Sequence, residues 1–463
     1  MTEINGAGKS TLLKLILKEL KSEKGMITGN DLVVYCAQST EFPPAELEEF
    51  MMTYTKEAYK LRDLLRVEDE WLGSWEVLSH GERTRLQLAV ALASDSDVLM
   101  VDEPTNHLDH RSQAIVIEAL KSYRGIGILV SHDRTLLDAL SQQTVMIKAG
   151  EVLKYRSKFS LAQAAYSQTL SHKKKVLSEQ EHELKKLGKR VQLEREKVSL
   201  AKQRFSKKNV GRFDSAEKEK INGAIFTGKD KKDGQILQST MTKQRQLSEN
   251  MSTLSKEYAT GISFEGKIAK HNFPIAVEKS CIPLFETTEL CFPRLSIDVG
   301  DKVGISGENG AGKSTFIRYF VEKVDFQHEY LYIPQEITDA EAETLFEEVS
   351  ELGSEEKGEL FTLVQRLGSD AKALLQSTVP SPGEVRKLLI AKGLLQHPSL
   401  IILDEPTNHM DLDSIESLEA SLHEYEGALV FITHDQTFLE NLSTKRWVFE
   451  KSEKQRYEVQ EIL

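Results

Sequence analysis

Short, uninterrupted apolar runs punctuate this chain. Residues 97–101 and 399–403 each run into an acidic pair, and 126–130 and 428–432 form a second matching couple. Apolar runs of this length without alternation suit strands buried on both faces of a parallel sheet. Between them, 112–123 and 413–425 carry apolar residues at helical spacing. The pattern predicts an α/β fold whose functional residues gather at the carboxyl ends of the strands. A different period governs the middle. Leu170, Leu177, Leu184, Val191 and Val198 recur every seven residues, and Leu247, Met251, Leu254 and Tyr258 keep a coiled-coil spacing further on. A helix over roughly 159–208 and a second helical stretch, joined through 205–234, predict a helical hairpin.

The matching couples belong to a larger duplication. NGAGKST at 5–11 is echoed by GENGAGKST at 307–315, DEPTNH at 102–107 by 404–409, and Ser-His-Asp at 131–133 by Thr-His-Asp at 433–435. Lys9 precedes Asp102 by 93 residues and Lys313 precedes Asp404 by 91; the steps to His132 and His434 are 123 and 121. Three motifs repeated in one order at one spacing define a duplicated domain. The expected organisation is a first α/β domain at 1–155, a helical-hairpin linker at 156–262 and a second α/β domain at 263–463.

Composition adds exclusions. No stretch approaches 18 consecutive apolar residues, and MTEINGAGKS has no signal-peptide core. Cys36, Cys281 and Cys291 form no CxxC pair; they predict no disulfide framework, no role beyond small buried side chains, and a reducing compartment. The expectation is a cytoplasmic protein without a membrane partner. The net charge of −12 hides an asymmetry, because residues 154–257 hold 25 Lys/Arg against 12 Asp/Glu. Lys207, Lys208, Arg212, Lys229, Lys231 and Lys232 cluster at the hairpin tip, where they would meet the phosphates of a nucleic acid. A solvated helical spacer is the plainer reading of the same charges.

The chemistry follows from the repeated strings. Gly307, Asn309, Gly310 and Gly312 form a loop whose N–H groups can curl around phosphate, and the following helix presents its positive end. Lys313 would reach the β- and γ-phosphates, Ser314 would ligate Mg²⁺, and Thr315 follows it. Asp404 is the expected second Mg²⁺ partner and Glu405 the base for the attacking water. His434 would contact the γ-phosphate, and Gln335 would sense metal and water. In the first copy the corresponding residues are Gly6, Gly8, Lys9, Ser10 and Thr11, then Gln38, Asp102, Glu103 and His132.

The remaining strings are LSHGE at 78–82 and PSPGE at 380–384. With them the ordered set of P-loop, glutamine, signature, acidic pair and histidine resembles the ATP-binding cassette ATPases. Two cassettes, a DEPTNH string in each and a long charged linker resemble the ABC-F subfamily, whose members act on ribosomes. The resemblance implies two composite ATP–Mg²⁺ sites, each pairing one cassette's P-loop with the other's signature, within one monomer. Site two would join Lys313, Ser314, Gln335, Asp404, Glu405 and His434 to Ser79, Gly81 and Glu82. Site one would join Lys9, Ser10, Gln38, Asp102, Glu103 and His132 to Ser381, Gly383 and Glu384.

Site one departs from the pattern. Glu3 stands where the first P-loop glycine belongs, and five residues precede Gly6, against a strand-rich lead-in of about 25 before Gly307. The expectation is a first cassette lacking its N-terminal strands. Pro380 and Pro382 flank Ser381, and proline brings no N–H donor. One competent and one degenerate site are therefore expected. The 41 residues from Gln38 to Ser79 leave no room for the arm some housekeeping relatives insert. A missing arm with a long linker resembles the members that protect ribosomes from antibiotics, the hairpin reaching from the tRNA exit site toward the peptidyl-transferase centre to meet rRNA or tRNA. A transporter's energising subunit and a truncated, non-catalytic remnant remain as alternatives.

Overall fold

The computed structural model describes residues 8–29, 32–106, 108–148, 151–204, 235–245, 273–285, 288–323, 330–369, 381–408, 410–453 and 455–462. The chain divides into two units, Met1–Ala162 with Thr260–Leu463, and Gln163–Ala259.

In the first half, α1 (Lys9–Ile16) follows Gly8 and leads to β1 (Val33–Cys36). Then come α2 (Leu47–Met52), α3 (Lys56–Leu65), α4 (His80–Ala93), β2 (Val98–Asp102), α5 (His110–Lys121), β3 (Ile126–Val130), α6 (Arg134–Leu140) and the hairpin β4 (Thr144–Lys148) and β5 (Glu151–Tyr155). Strands β1, β2 and β3 pair in parallel in that order. All five residues of β2 are buried, as an uninterrupted apolar run requires.

The second half opens with β6 (Ile275–Val277), β7 (Ser280–Phe285), β8 (Thr288–Phe292) and β9 (Leu295–Ile297). After β10 (Lys302–Gly307) it repeats the first from the P-loop helix onward. The sheet orders β11 (Tyr330–Ile333), β12 (Leu400–Asp404), β13 (Ala428–Ile432), β10, β14 (Lys445–Glu453), β15 (Arg456–Ile462), β8 and β7. Phe316 anchors its core, meeting Phe292, Trp447 and Phe449 edge to face at 5.1–5.7 Å.

The two sheets differ at the strand that leads into the P-loop. Strand β10 carries the second P-loop and lies between β13 and β14. Among the described residues no strand holds that place between β3 and β4. Ile126 at the start of β3 is consequently 63 % exposed, whereas its counterpart Ala428 is fully buried.

The unit Gln163–Ala259 is built on α7 (Phe159–Arg204), 46 residues long. A shorter helix α8 (235–245) runs against it, Met241 beside Arg195 and Gln244 beside Gly188, so the two are antiparallel as the expected hairpin requires. Of the heptad positions, Val191 is buried and Leu170 and Leu184 half-buried. The expected tip with Lys207, Lys208, Arg212, Lys229, Lys231 and Lys232, and the spacing from Leu247 to Tyr258, lie outside the described residues.

One sequence reading is overturned. Cys281 and Cys291 sit directly opposite each other on β7 and β8, with Cα atoms 4.1 Å apart, and form a disulfide. Ten residues of separation hid the pairing because a hairpin register, not spacing, brings the two sulfurs together. Cys36 is free and buried, as expected of a small apolar side chain.

Candidate functional site

Each cassette aims its chemistry from the carboxyl end of its central strands. In the second, the loop between β10 and α9 (Lys313–Lys323) wraps tightly. Gly312 has φ 89°, and a Cβ there would come within 2.5 Å of Leu284, so only glycine fits. The buried Lys313 ammonium donates to the Gly307 and Glu308 carbonyls at 2.7 and 3.0 Å. Burial holds its pKa below the ordinary lysine value, opposed by Glu405 and other nearby carboxylates.

Asp404 ends β12 and Glu405 follows it, both over 95 % buried. Burial raises the Asp404 pKa, and the Ser314 hydroxyl hydrogen-bonds its carboxylate. Asp404 Oδ1 is buried without a hydrogen-bond partner, which is costly unless something else satisfies it. An unpartnered carboxylate oxygen beside a serine hydroxyl is a hard oxygen donor set that fits Mg²⁺.

Glu405 turns the chain out of the strand with φ 49°, a left-handed conformation rare outside glycine. Its N–H donates to Ile432 O at 3.0 Å, and its Oε2 accepts from the His434 N–H at 3.3 Å. Oε1 lies 3.3 Å from His434 Nε2 but forms no aligned hydrogen bond with it. Burial pushes the Glu405 pKa up to about 7, with Lys313 opposing. Such an arrangement can hold a water and take its proton.

The two sites occupy two cavities of about 380 Å³ each. Asn309, Gly310, Gly312, Lys313, Ser314, Thr315, Gln335, Asp404, Glu405 and His434 line one, with Leu284 and Phe285. Gly8, Lys9, Thr11, Gln38, Asp102, Glu103 and His132 line the other, together with Ser381, Pro382 and Gly383 of α12 (Pro382–Leu394). The first P-loop and the second signature therefore share a cavity as the resemblance implies. Ser79, Gly81 and Glu82 do not line the second cavity. That side is met instead by Asp109, whose carboxylate accepts from Asn309 N–H at 3.2 Å, and by Arg111, 3.0 Å from Glu308.

Pro382 is less disruptive than its missing donor suggests. It occupies the first turn of α12, where a backbone N–H has no acceptor within the helix. Ser381 caps that helix through Glu384, as Ser79 caps α4 through Glu82. Pro380 and Gly6 lie outside the described residues, and Ser10 lies in α1.

The first cavity differs in its charges. Lys9 Nζ lies 2.5 Å from His132 Nε2, whereas Lys313 engages its own loop. Burial and Lys9 together push the His132 pKa down to about 3, so this imidazole is neutral. Glu103 repeats the φ of 49° and a pKa near 7 raised by burial. Tyr35 donates to Asp102 Oδ2 at 3.2 Å.

Sequence reading missed Asp109, Arg134 and Arg386. The first was within reach, since the duplicated string continues as DEPTNHLD and DEPTNHMD. Arg134 bridges the cassettes, bonding Glu419 on α13 (Leu412–Glu424) at 2.9 Å and Asp435 at 3.1 Å. Nothing in either copy's motif signals it, because its counterpart is Gln436.

Two P-loop cassettes on one chain, with one cavity lined by residues of both, define a tandem ATP-binding cassette ATPase. The ABC transporter family profile matches residues 4–106 and 293–408. Ribosome protection protein VmlR of Bacillus subtilis is 30 % identical over 96 % of this chain and 80 % of its own. ATP-binding protein Uup of Buchnera aphidicola is 26 % identical over 96 % and 75 %. Among solved structures, an archaeal ribosome recycling factor crystallised with a ribosomal stalk protein superposes with a TM-score of 0.62 at 17 % identity, covering 98 % of this chain and 83 % of that one. The chain belongs to the ABC-F family of ATP-binding cassette proteins. Among the described residues no helix is long and apolar enough to cross a membrane.

Proposed function

We propose that this chain is a cytoplasmic ABC-F ATPase that acts on the ribosome near the tRNA exit site and the peptidyl-transferase centre, protecting it from antibiotics or adjusting translation. The observation that carries the reading is 30 % identity to a ribosome protection protein over four-fifths of that protein's length. The cassettes occupy 1–155 and 263–463, and 156–262 is the linker whose basic residues, Lys207, Lys208, Arg212, Lys229, Lys231 and Lys232, bind rRNA or tRNA phosphate. The chain works as a monomer with its two cassettes paired.

ATP is hydrolysed in the second cavity. Residues 307–312 and Lys313 would hold the phosphates, and Ser314, Asp404 and Gln335 would hold Mg²⁺, which would supply charge neutralisation for the phosphoryl group. Glu405 takes the water's proton while His434 fixes the carboxylate through its backbone N–H. In the first cavity, Lys9, Ser10, Thr11, Gln38 and Asp102 bind nucleotide against Ser381, Gly383 and Glu384. Glu103 and His132 turn it over more slowly, because Lys9 is engaged with His132.

The test is co-sedimentation of Glu405→Gln with ribosomes, with and without ATP, at low and high salt. ATP-dependent pelleting that weakens with salt is expected. A folded, ATP-binding variant that stays in the supernatant would sink the ribosome reading and favour a transporter's energising subunit.

A further inference from the structure

Arg386 stands on α12, five positions after Ser381, and is 3 % exposed. Its guanidinium reaches out of its own helix. Nη1 donates to the Glu405 carbonyl, and Nη2 donates to the Gln335 carbonyl and, at 3.2 Å, to that of Pro334. One side chain thus joins the helix that opens at the signature, the loop that carries Gln335, and the peptide that follows the acidic pair.

The first cassette is built otherwise. The residue matching Arg386 is Thr84, whose hydroxyl bonds His80 O within α4 at 2.9 Å. There, among the described residues, the helix reaches the loop through Gln87 Nε2, which donates to Ala37 O at 3.3 Å.

Keeping a guanidinium here is expensive. It is buried among carbonyls, and the nearby carboxylates of Asp404 and Glu405 offset only part of its desolvation. A leucine or methionine would fill the same volume without that penalty. What the arginine supplies is a planar fork that fits three carbonyls at once. One of them belongs to Glu405, whose φ of 49° leaves its peptide in a conformation that the surroundings must enforce.

We infer that Arg386 is a positioning residue of the second site, fixing the Glu405 and Gln335 backbones so that the glutamate and glutamine side chains meet ATP and water correctly. The inference rests on the reading of Glu405 as the base of the second cavity. It concerns this cassette alone, because Thr84 cannot span the same gap.

The experiment compares ATP turnover of the full chain with Arg386→Thr, Arg386→Lys and, as a control, Glu405→Gln. Arg386→Thr is expected to lower kcat about tenfold or more while KM for ATP stays within about threefold. Arg386→Lys, which keeps the charge without the fork, is expected to recover part of the loss. Circular dichroism and binding of trinitrophenyl-ATP check that each variant is folded and loaded. A folded Arg386→Thr with kcat within twofold of the parent overturns the inference. If Arg386→Thr does not fold, Arg386→Lys decides by the same split between kcat and KM. Failure of both to fold overturns it as well, since the residue would then be structural. Should Glu405→Gln keep full turnover, the base assignment falls; should it lose turnover while both Arg386 variants keep theirs, only the positioning role falls.

Discussion

Arg134 offers the sharpest test of how the cassettes hold together. It comes from the first cassette on α6, and its Nη2 bonds Glu419 at 2.9 Å and Asp435 at 3.1 Å in the second. Its side chain is 12 % exposed and those of its partners 16 %. Burial would lower its pKa, yet the two carboxylates leave it raised, so attraction exceeds desolvation. Each charge-assisted bond is worth about 1.5–3 kcal/mol at most. Both bonds leave from one nitrogen, however, and Nε is buried without a partner. That orphan argues for the low end, about 1.5 kcal/mol of coupling with Glu419. Arg134→Ala costs more, about 3 kcal/mol, because it strips the cation from two largely buried carboxylates, Glu419 and Asp435, the first of which also faces Glu416. The assay is a double-mutant cycle of Arg134→Ala and Glu419→Gln, read from the first urea transition of the full chain. A coupling energy below about 0.5 kcal/mol would refute the reasoning and reduce the bridge to a contact without energetic weight.

Three further outcomes are expected. Phe316→Ala should cost about 3–5 kcal/mol in urea unfolding, since it empties a fully buried site ringed by Phe292, Trp447 and Phe449. Glu416 has its pKa raised to about 7 by burial and by Asp413, so the folded chain holds a proton that the unfolded chain releases. Stability therefore falls as pH rises from about 4.5 to 7, and the advantage of Glu416→Gln should grow across that range to about 2–3 kcal/mol, measured by urea titration at pH 5.5 and 8. Lys313→Ala should abolish most ATP turnover and Lys9→Ala should lower it less; equal losses would remove the asymmetry between the cavities.

The sequence made the sheet and its P-loops legible because each rests on a local rule. Residues 98–101 and 400–403 are buried in their strands since every one of them is apolar, and Gly312 is a glycine since the loop needs its φ. Duplication then doubled every weak signal: a lone Gln38 would carry nothing without Gln335 at a matching place. Pairings set by register or packing stayed hidden. Cys281 and Cys291 meet only once β7 and β8 are aligned. Arg134, Arg386 and Asp109 find their partners across 19 to 301 positions, through packing that no spacing rule describes. Pro382 misled for a related reason, because its effect depends on standing in the first turn of α12.

Glu103 and Glu405 share one further property. Each bends its strand's exit with φ at 49°, a conformation that costs a residue with a Cβ about 1–3 kcal/mol and glycine almost nothing. The fold thus keeps two sprung residues, one per cassette, where relaxing the backbone would be the easiest route to a sturdier protein. Selection for thermal endurance alone, applied to a library of this gene, would drive both positions toward glycine and return hardy proteins with no carboxylate left at either strand exit.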